Sequence, residues 1–106
     1  MRIISQGGHT DLPYEEIALC INCDDIIATH NNKEHLMARY STMEKAEKAM
    51  EMLREQYSRL QVVKILASGT CEHMEKSLSK DEFLECNLKY REMNIFKFPQ
   101  DEDVEV

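Results

Sequence analysis

Glycine and proline are scarce in this chain, and long apolar runs are missing. Only three glycines and two prolines occur in 106 residues, which leaves little room for long flexible linkers. No apolar run approaches the roughly 20 residues that cross a bilayer. The opening segment, MRIISQGGHTDLP, lacks the apolar core of a secretory signal. These absences predict a cytoplasmic protein with no membrane partner.

Positive charge is also in short supply. The chain has 13 basic and 20 acidic residues, for a net charge of −7, and four of the acids fall in residues 101–106. Broad binding to DNA or RNA requires a strongly basic surface, so the composition excludes it, while a local basic pocket for one small phosphate-bearing ligand stays compatible with it. We expect one domain over residues 1–100 and an acidic, solvated tail over residues 101–106.

What the first 40 residues do contain is a pattern of short strands. Residues 2–5 predict an opening strand. Residues 11–14 predict an extended or turning segment, because the residue before Pro13 avoids the helical conformation. Alternating apolar residues then predict three strands, separated by polar turns, over residues 17–23, 26–29 and 36–40. Short strands joined by tight turns predict an antiparallel meander.

A single amphipathic helix is predicted over residues 42–59. Ser41 and Glu44 have the spacing of a capping box at its start. An apolar stripe at helical spacing follows, formed by Ala46, Ala49, Met50, Leu53, Tyr57 and Leu60. The predicted fold class is therefore α+β, an antiparallel β-meander packed against one main amphipathic helix, with a C-terminal strand.

The remaining third of the chain gives weaker patterns. Residues 62–66 are rich in β-branched side chains and predict a strand that ends at Gly69, and residues 71–78 predict a short helix. Residues 79–92 fit either a helix opened by Ser79 and Glu82 or a strand over residues 83–86. Residues 94–99 alternate and end at a proline, which predicts the last strand.

Cysteine and histidine are the candidate metal ligands. Cys20 and Cys23 have the spacing of half a zinc knuckle, and Cys71 with His73 would supply two further ligands. Strand alternation points Cys20 and Cys23 to opposite faces, and no glycine flanks them. The pattern thus favours buried free thiols over a metal site, and whether these four residues come together stays open.

We find no catalytic signature in the sequence. The four histidines are scattered, and none stands beside a nucleophile in a recognisable motif. Gly7-Gly8 lacks the lysine and the following helix of a phosphate-binding loop. A Cys–His pair assembled only in three dimensions is the alternative. We therefore predict a protein that is not an enzyme and that needs no cofactor and no metal.

Three residues are candidates for ligand binding. Arg39 alternates outward from its strand, and its planar guanidinium is suited to grip phosphate beside the aromatic ring of Tyr14 or Tyr40. The alternative is a solvated strand arginine. Met52 falls opposite the helix stripe and is either a lone exposed apolar residue or part of an adaptable protein interface.

Several segments resemble a group of small, uncharacterised proteins encoded by phages and prophages of Gram-positive bacteria. They cover roughly half of the chain, in residues 1–7, 13–15, 37–42, 44–54 and 96–101. Gly7-Gly8 departs from the group, where an acidic residue is expected before the glycine. The resemblance transfers no activity. It implies a counter-defence role in the host cytoplasm, in which a homo-oligomer sequesters a nucleotide-like immune signal; the alternative is an inhibitor or adaptor that binds a host or phage protein.

Overall fold

The computed structural model describes the backbone of residues 1–77 and 91–106, and the side chains of residues 1–64 and 91–106. The described chain is α+β, as predicted, with two three-stranded sheets and one long helix. Strands β1 to β6 are Arg2–Ile4, Asp11–Pro13, Ala18–Asn22, Asp25–His30, Lys33–Arg39 and Ile95–Lys97, and helix α1 is Met43–Ser77. Short 3-10 turns occupy Tyr14–Glu16 and Asp101–Asp103. A helix and a strand were the alternatives predicted for residues 79–92. Residues 79–90 lie outside the described residues.

The predicted meander is confirmed as the sheet β3–β4–β5, which is antiparallel throughout. Its second turn has Asn31 at φ 52° and Asn32 at φ 63°. Positive φ at both central residues gives the twist that a two-residue hairpin needs, and asparagine tolerates this conformation better than most residues. Ile26 and Ala28 of the middle strand are fully buried, so β4 lies at the centre of the core face.

The second sheet joins the two ends of the described chain. Its strand order is β2–β1–β6, with β1 antiparallel to β2 and parallel to β6. Ile3 lies opposite both Leu12 and Phe96, and all three side chains are buried. The predicted strands near residues 2–5 and 94–99 are therefore confirmed, and the structure adds that they are neighbours.

Helix α1 carries the predicted apolar stripe but is longer than predicted. All of the stripe residues are buried except Tyr57, which is half-buried and packs against the core. The prediction of a strand over residues 62–66 is wrong, because α1 continues through them to Ser77. β-Branched residues lower helix stability by only a few tenths of a kcal/mol each, roughly. Extending an existing helix adds one hydrogen bond per residue, so the helix continues where no proline stops it.

The start of α1 is capped one residue later than predicted. The Lys45 N–H donates to Thr42 Oγ1 at 3.2 Å, which makes Thr42 the capping residue instead of Ser41. The Ser41 N–H donates to Asp101 Oδ1 at 2.7 Å. The Ser41 N–H therefore donates to a carboxylate that is distant in sequence, whereas the predicted capping box made the Glu44 carboxylate its acceptor.

The expectation of a solvated tail is wrong for Asp101 and Val104, whereas Glu102 and Asp103 are exposed. Lys45 Nζ donates to the Asp101 carbonyl at 2.9 Å, and Val104 is only 2% exposed. Just before this segment, the Pro99 carbonyl accepts hydrogen bonds from Tyr40 Oη at 2.8 Å and Gln6 Nε2 at 3.0 Å. The C-terminal segment is thus part of the packed structure, next to the first turn of α1.

Asp101 should make stability depend on pH in the acid range. The Ser41 N–H, followed by Lys45, lowers the pKa of the Asp101 carboxyl from its ordinary value of 3.8. A lowered pKa contributes stability that is present above pH 3.8 and is lost as pH falls through the folded-state pKa. We expect Asp101→Asn to lose stability at neutral pH and to show a shallower further loss in acid, measured by denaturant unfolding at several pH values. Asp103→Asn, an exposed neighbour, is the matched control, and equal behaviour of the two variants would contradict this role.

Candidate functional site

The most promising site is a surface cavity between the first 3-10 turn, β3 and α1. Its volume is about 360 Å³, and its lining residues are Tyr14, Ile17, Leu19, Met50 and Arg54. Four of these side chains supply apolar or aromatic surface, and the fifth supplies a positive charge. The cavity can therefore receive a ligand that combines a flat or apolar part with an anionic group.

Tyr14 is held in place by its surroundings. It follows Pro13, whose extended backbone ends β2, and its N–H donates to the Met1 carbonyl at 2.9 Å. Its ring lies 4.6 Å from the ring of Tyr57, centroid to centroid, with 55° between the planes. The next residue, Glu15, accepts a hydrogen bond from the Met1 ammonium at 2.7 Å, which lowers the pKa of the Glu15 carboxyl. These contacts fix the ring before any ligand arrives.

Arg54 provides the charge of the cavity. It lies one helical turn beyond Met50 on α1, so both side chains reach the same side of the helix. Arg54 and Met50 also line a neighbouring cavity of about 620 Å³ that contains Glu44, Glu47 and Glu51, and Glu51 is 3.7 Å from Lys48 Nζ. Within the described residues Arg54 forms no ion pair, and its side chain is exposed. A guanidinium without a partner can bind a phosphate or carboxylate through two parallel hydrogen bonds.

The structure places the predicted residue Arg39 elsewhere and pairs it. Arg39 Nε and Nη2 donate to the Asp25 carboxylate at 2.9 and 3.4 Å, and this arginine lowers the pKa of the Asp25 carboxyl. Arg39 lines a different, smaller cavity of about 230 Å³, together with Gly7 and His9. Its charge is balanced within the chain, which weakens its suitability for an anionic ligand.

Tyr40 has no surface with which to contact a ligand. It is 2% exposed, and its hydroxyl donates to the Pro99 carbonyl at 2.8 Å. Burial raises the pKa of this hydroxyl well above its ordinary value. Of the three predicted ligand-binding residues, the structure therefore brings only Tyr14 into the cavity of Arg54. Sequence reasoning missed Arg54, although its four-residue spacing from Met50 was a usable signal.

The cysteines differ from the prediction of buried thiols. Cys20 and Cys23 are both exposed, and Cys23 stands in the β3–β4 turn with φ 60°. Among the residues whose side chains are described, no three His, Cys, Asp or Glu side chains are close enough to hold a metal ion. The side chains of Cys71 and His73 lie outside the described residues, so their relation to Cys20 and Cys23 stays a prediction.

Met52 is packed against the core instead of standing alone on the surface. It is half-buried and lines a second cavity of about 520 Å³ beside β6, together with Met93, Ile95 and Phe96. Ile95 is 48% exposed. This gives the chain a second depression, in which two flexible thioethers and a branched side chain lie beside the polar or charged residues Glu55, Gln56, Arg59 and Glu92.

Comparison with known proteins gave no match to a family model, a curated protein or a solved structure. Within residues 1–77 and 91–106, no helix has the length and apolar character required to cross a bilayer.

Proposed function

We propose that this protein binds a small anionic ligand with a flat ring, of the nucleotide class, and holds it without turnover. The observation that carries the proposal is Arg54, which has no ion-pair partner among the side chains the structure describes, beside the fixed ring of Tyr14 in one cavity. The guanidinium binds the phosphate, and the aromatic and apolar wall receives the base.

The dimensions and chemistry of the cavity support binding of this kind. Small-molecule sites commonly occupy about 300–1,000 Å³ and combine an apolar lining with a few oriented polar groups. The cavity of about 360 Å³ falls at the lower end of that range and has one charged group. Among its five lining residues there is no imidazole, thiol or carboxylate to transfer a proton or attack a bond, which favours binding over turnover.

The resemblance to small phage-encoded proteins supplies the biological setting of the proposal. A phage protein that binds a nucleotide immune signal and keeps it from its receptor blocks the host response by mass action alone. Such a protein requires affinity and abundance but no catalytic group. Arg54 and Tyr14 supply the recognition that this role needs.

Ligand binding should depend on Arg54. We expect Arg54→Gln to weaken binding of a phosphate-bearing ligand by about tenfold or more, because a charge-assisted hydrogen bond contributes roughly 1.5–3 kcal/mol. The measurement is calorimetric titration against a panel of cyclic and ADP-ribose-type nucleotides. Heat denaturation of the complex should then release the ligand intact.

Two arginines serve as matched controls for this titration. Arg39→Gln removes a guanidinium that is already paired with Asp25. Arg59→Gln removes a guanidinium that lies on the same helix as Arg54 but lines the second cavity. Both variants should bind as the parent does. Equal weakening in all three variants would point to a general charge effect, and release of altered ligand would identify an enzyme; either result contradicts the proposal.

A second candidate function is that of an inhibitor or adaptor that binds another protein. The depression formed by Met52, Met93 and Ile95 favours it, because methionine side chains adapt to varied apolar partners. If no nucleotide in the panel binds and Met52→Glu abolishes binding to an identified protein target, this candidate replaces the first.

A further inference from the structure

The outer edge of β3 is the least protected strand edge in the described chain. β3 pairs with β4 on one side, and no strand within residues 1–77 and 91–106 pairs with its other side. Its exposed side chains are Ala18, Cys20 and Asn22, which carry no charge. An open, uncharged edge presents free N–H and C=O groups to any strand that approaches.

The outer edges of β5 and β6 differ from that of β3, because some of their backbone groups already form hydrogen bonds. On β5, the Met37 carbonyl accepts from the Gln6 N–H at 2.7 Å, and the Arg39 N–H donates to Gln6 Oε1 at 2.9 Å. On β6, the Ile95 carbonyl accepts from Gln56 Nε2 at 2.9 Å.

The remaining edge, β2, is short and also unsuited to pairing. It consists of three residues, one of them Pro13 and another Asp11, which is paired with Arg2 at 2.8 Å. Proline and charge are common means of protecting an edge strand. β3 is therefore the edge at which another strand can add.

The register of the β3–β4 hairpin determines which groups point outward. Asn22 pairs with Asp25 across a two-residue turn, so this pair is hydrogen-bonded. Hydrogen-bonded and non-bonded pairs then alternate along the ladder, which directs the backbone groups of Cys20 toward Ile27. The N–H and C=O groups of Leu19 and Ile21 consequently face away from the sheet.

We propose that two copies of this chain join their β3 strands in antiparallel fashion, forming one six-stranded sheet. Leu19 of each copy pairs with Ile21 of the other, which makes four hydrogen bonds around a two-fold axis at Cys20. Ala18 then lies opposite Asn22 of the second copy, so the pairing brings no like charges together at the strand, although the whole chain carries −7.

A second copy is the occupant that this edge fits best. The outward groups alternate so that a two-fold rotation places each donor opposite an acceptor, and the uncharged side chains avoid the repulsion that would oppose self-pairing. A five-residue edge buries little area, so the dimer should be weak and concentration-dependent. The pairing of the β3 strands does not depend on the proposed ligand. Leu19 also lines the cavity of Arg54, so a second copy would extend the wall of that cavity.

The test uses the position of Cys20 at the axis. In a non-hydrogen-bonded antiparallel pair the Cα atoms lie about 4.5 Å apart, which falls within the range of about 4.4–6.8 Å found across disulfides. Mild oxidation should link two copies through Cys20. Cys20→Ser should abolish the linked dimer, and Cys23→Ser, at the other exposed thiol among the described side chains, should retain it.

A pair of lysine variants tests the dimer without oxidation. Cys20→Lys places two like charges on the axis and should give a monomer by analytical ultracentrifugation over a concentration series. Ala18→Lys faces Asn22 of the other copy and should leave the dimer intact. Circular dichroism establishes that both variants keep the fold. A parent chain that is monomeric throughout the series, or a dimer that survives Cys20→Lys, would overturn the proposal; a monomer that binds an added peptide strand would assign the edge to a different partner.

Discussion

Replacing Leu53 with alanine is expected to lower the free energy of unfolding by about 3 kcal/mol. Leu53 is fully buried at the middle of the α1 stripe, so the substitution removes three buried carbon atoms and leaves a space that its neighbours fill only in part. Urea unfolding followed by circular dichroism measures the change. Because folded domains are stable by only about 5–15 kcal/mol, the loss should be visible as a large shift of the midpoint.

Leu36 offers a matched control for this substitution. It is the same residue type but is 49% exposed on β5. Leu36→Ala should change the free energy of unfolding by less than about 1 kcal/mol, since about half of its surface is in water in the folded state as well. If the two variants lose the same stability, the stripe of α1 does not face the core as described.

Ending the chain at Gln100 is expected to cost at least about 2 kcal/mol of unfolding free energy. The truncation exposes the surface that Val104 covers and removes the Asp101 carboxylate that accepts the Ser41 N–H. Thermal and urea unfolding of the shortened chain measure the loss. Far-ultraviolet circular dichroism would also report any fraying of the first turn of α1.

A shorter truncation separates the effect of lost packing on stability from the effect of changed net charge. Removing only Glu105 and Val106 takes away two exposed residues and one negative charge, and should change stability by less than about 0.5 kcal/mol. Val104→Ala in the full chain should reproduce part of the larger loss. An unchanged stability after removal of residues 101–106 would restore the expectation that this segment is only solvated.

Local patterns predicted the elements whose neighbours are close in sequence. The meander followed from period-two alternation and polar turns, and the α1 stripe followed from the spacing of residues such as Leu53 and Leu60. The end of α1 was not predicted, because Val62 and Val63 suit a strand in isolation but are tolerated in a helix that is already propagating. The pairing of β1 with β6 also had no local signal, since alternation shows that a strand exists and not which strand lies beside it.

The candidate site was predicted only in part for the same reason. Tyr14 was predicted as an aromatic ring beside a phosphate-binding arginine, and the structure puts it in the cavity that Arg54 lines. Arg39 was predicted and Arg54 was missed, because what makes Arg39 the less suitable residue is its partner. Asp25, which pairs with Arg39, belongs to another strand, and Glu51, one helical turn before Arg54, lies 3.7 Å from Lys48 Nζ. Such pairings are fixed by tertiary structure, which spacing along one element does not reveal.

The parallel pairing of β1 with β6 has a consequence for how the chain is made. Arg2 lies opposite Ile95, and Gln6 bonds to Pro99 across 93 positions, so the central strand of that sheet pairs with a strand that is synthesised much later. Contacts of such long range carry a high loop-closure cost and slow the approach to the native state. During translation the meander and the first turns of α1 can assemble on the ribosome, while β1 keeps one side open until residues 95–97 emerge.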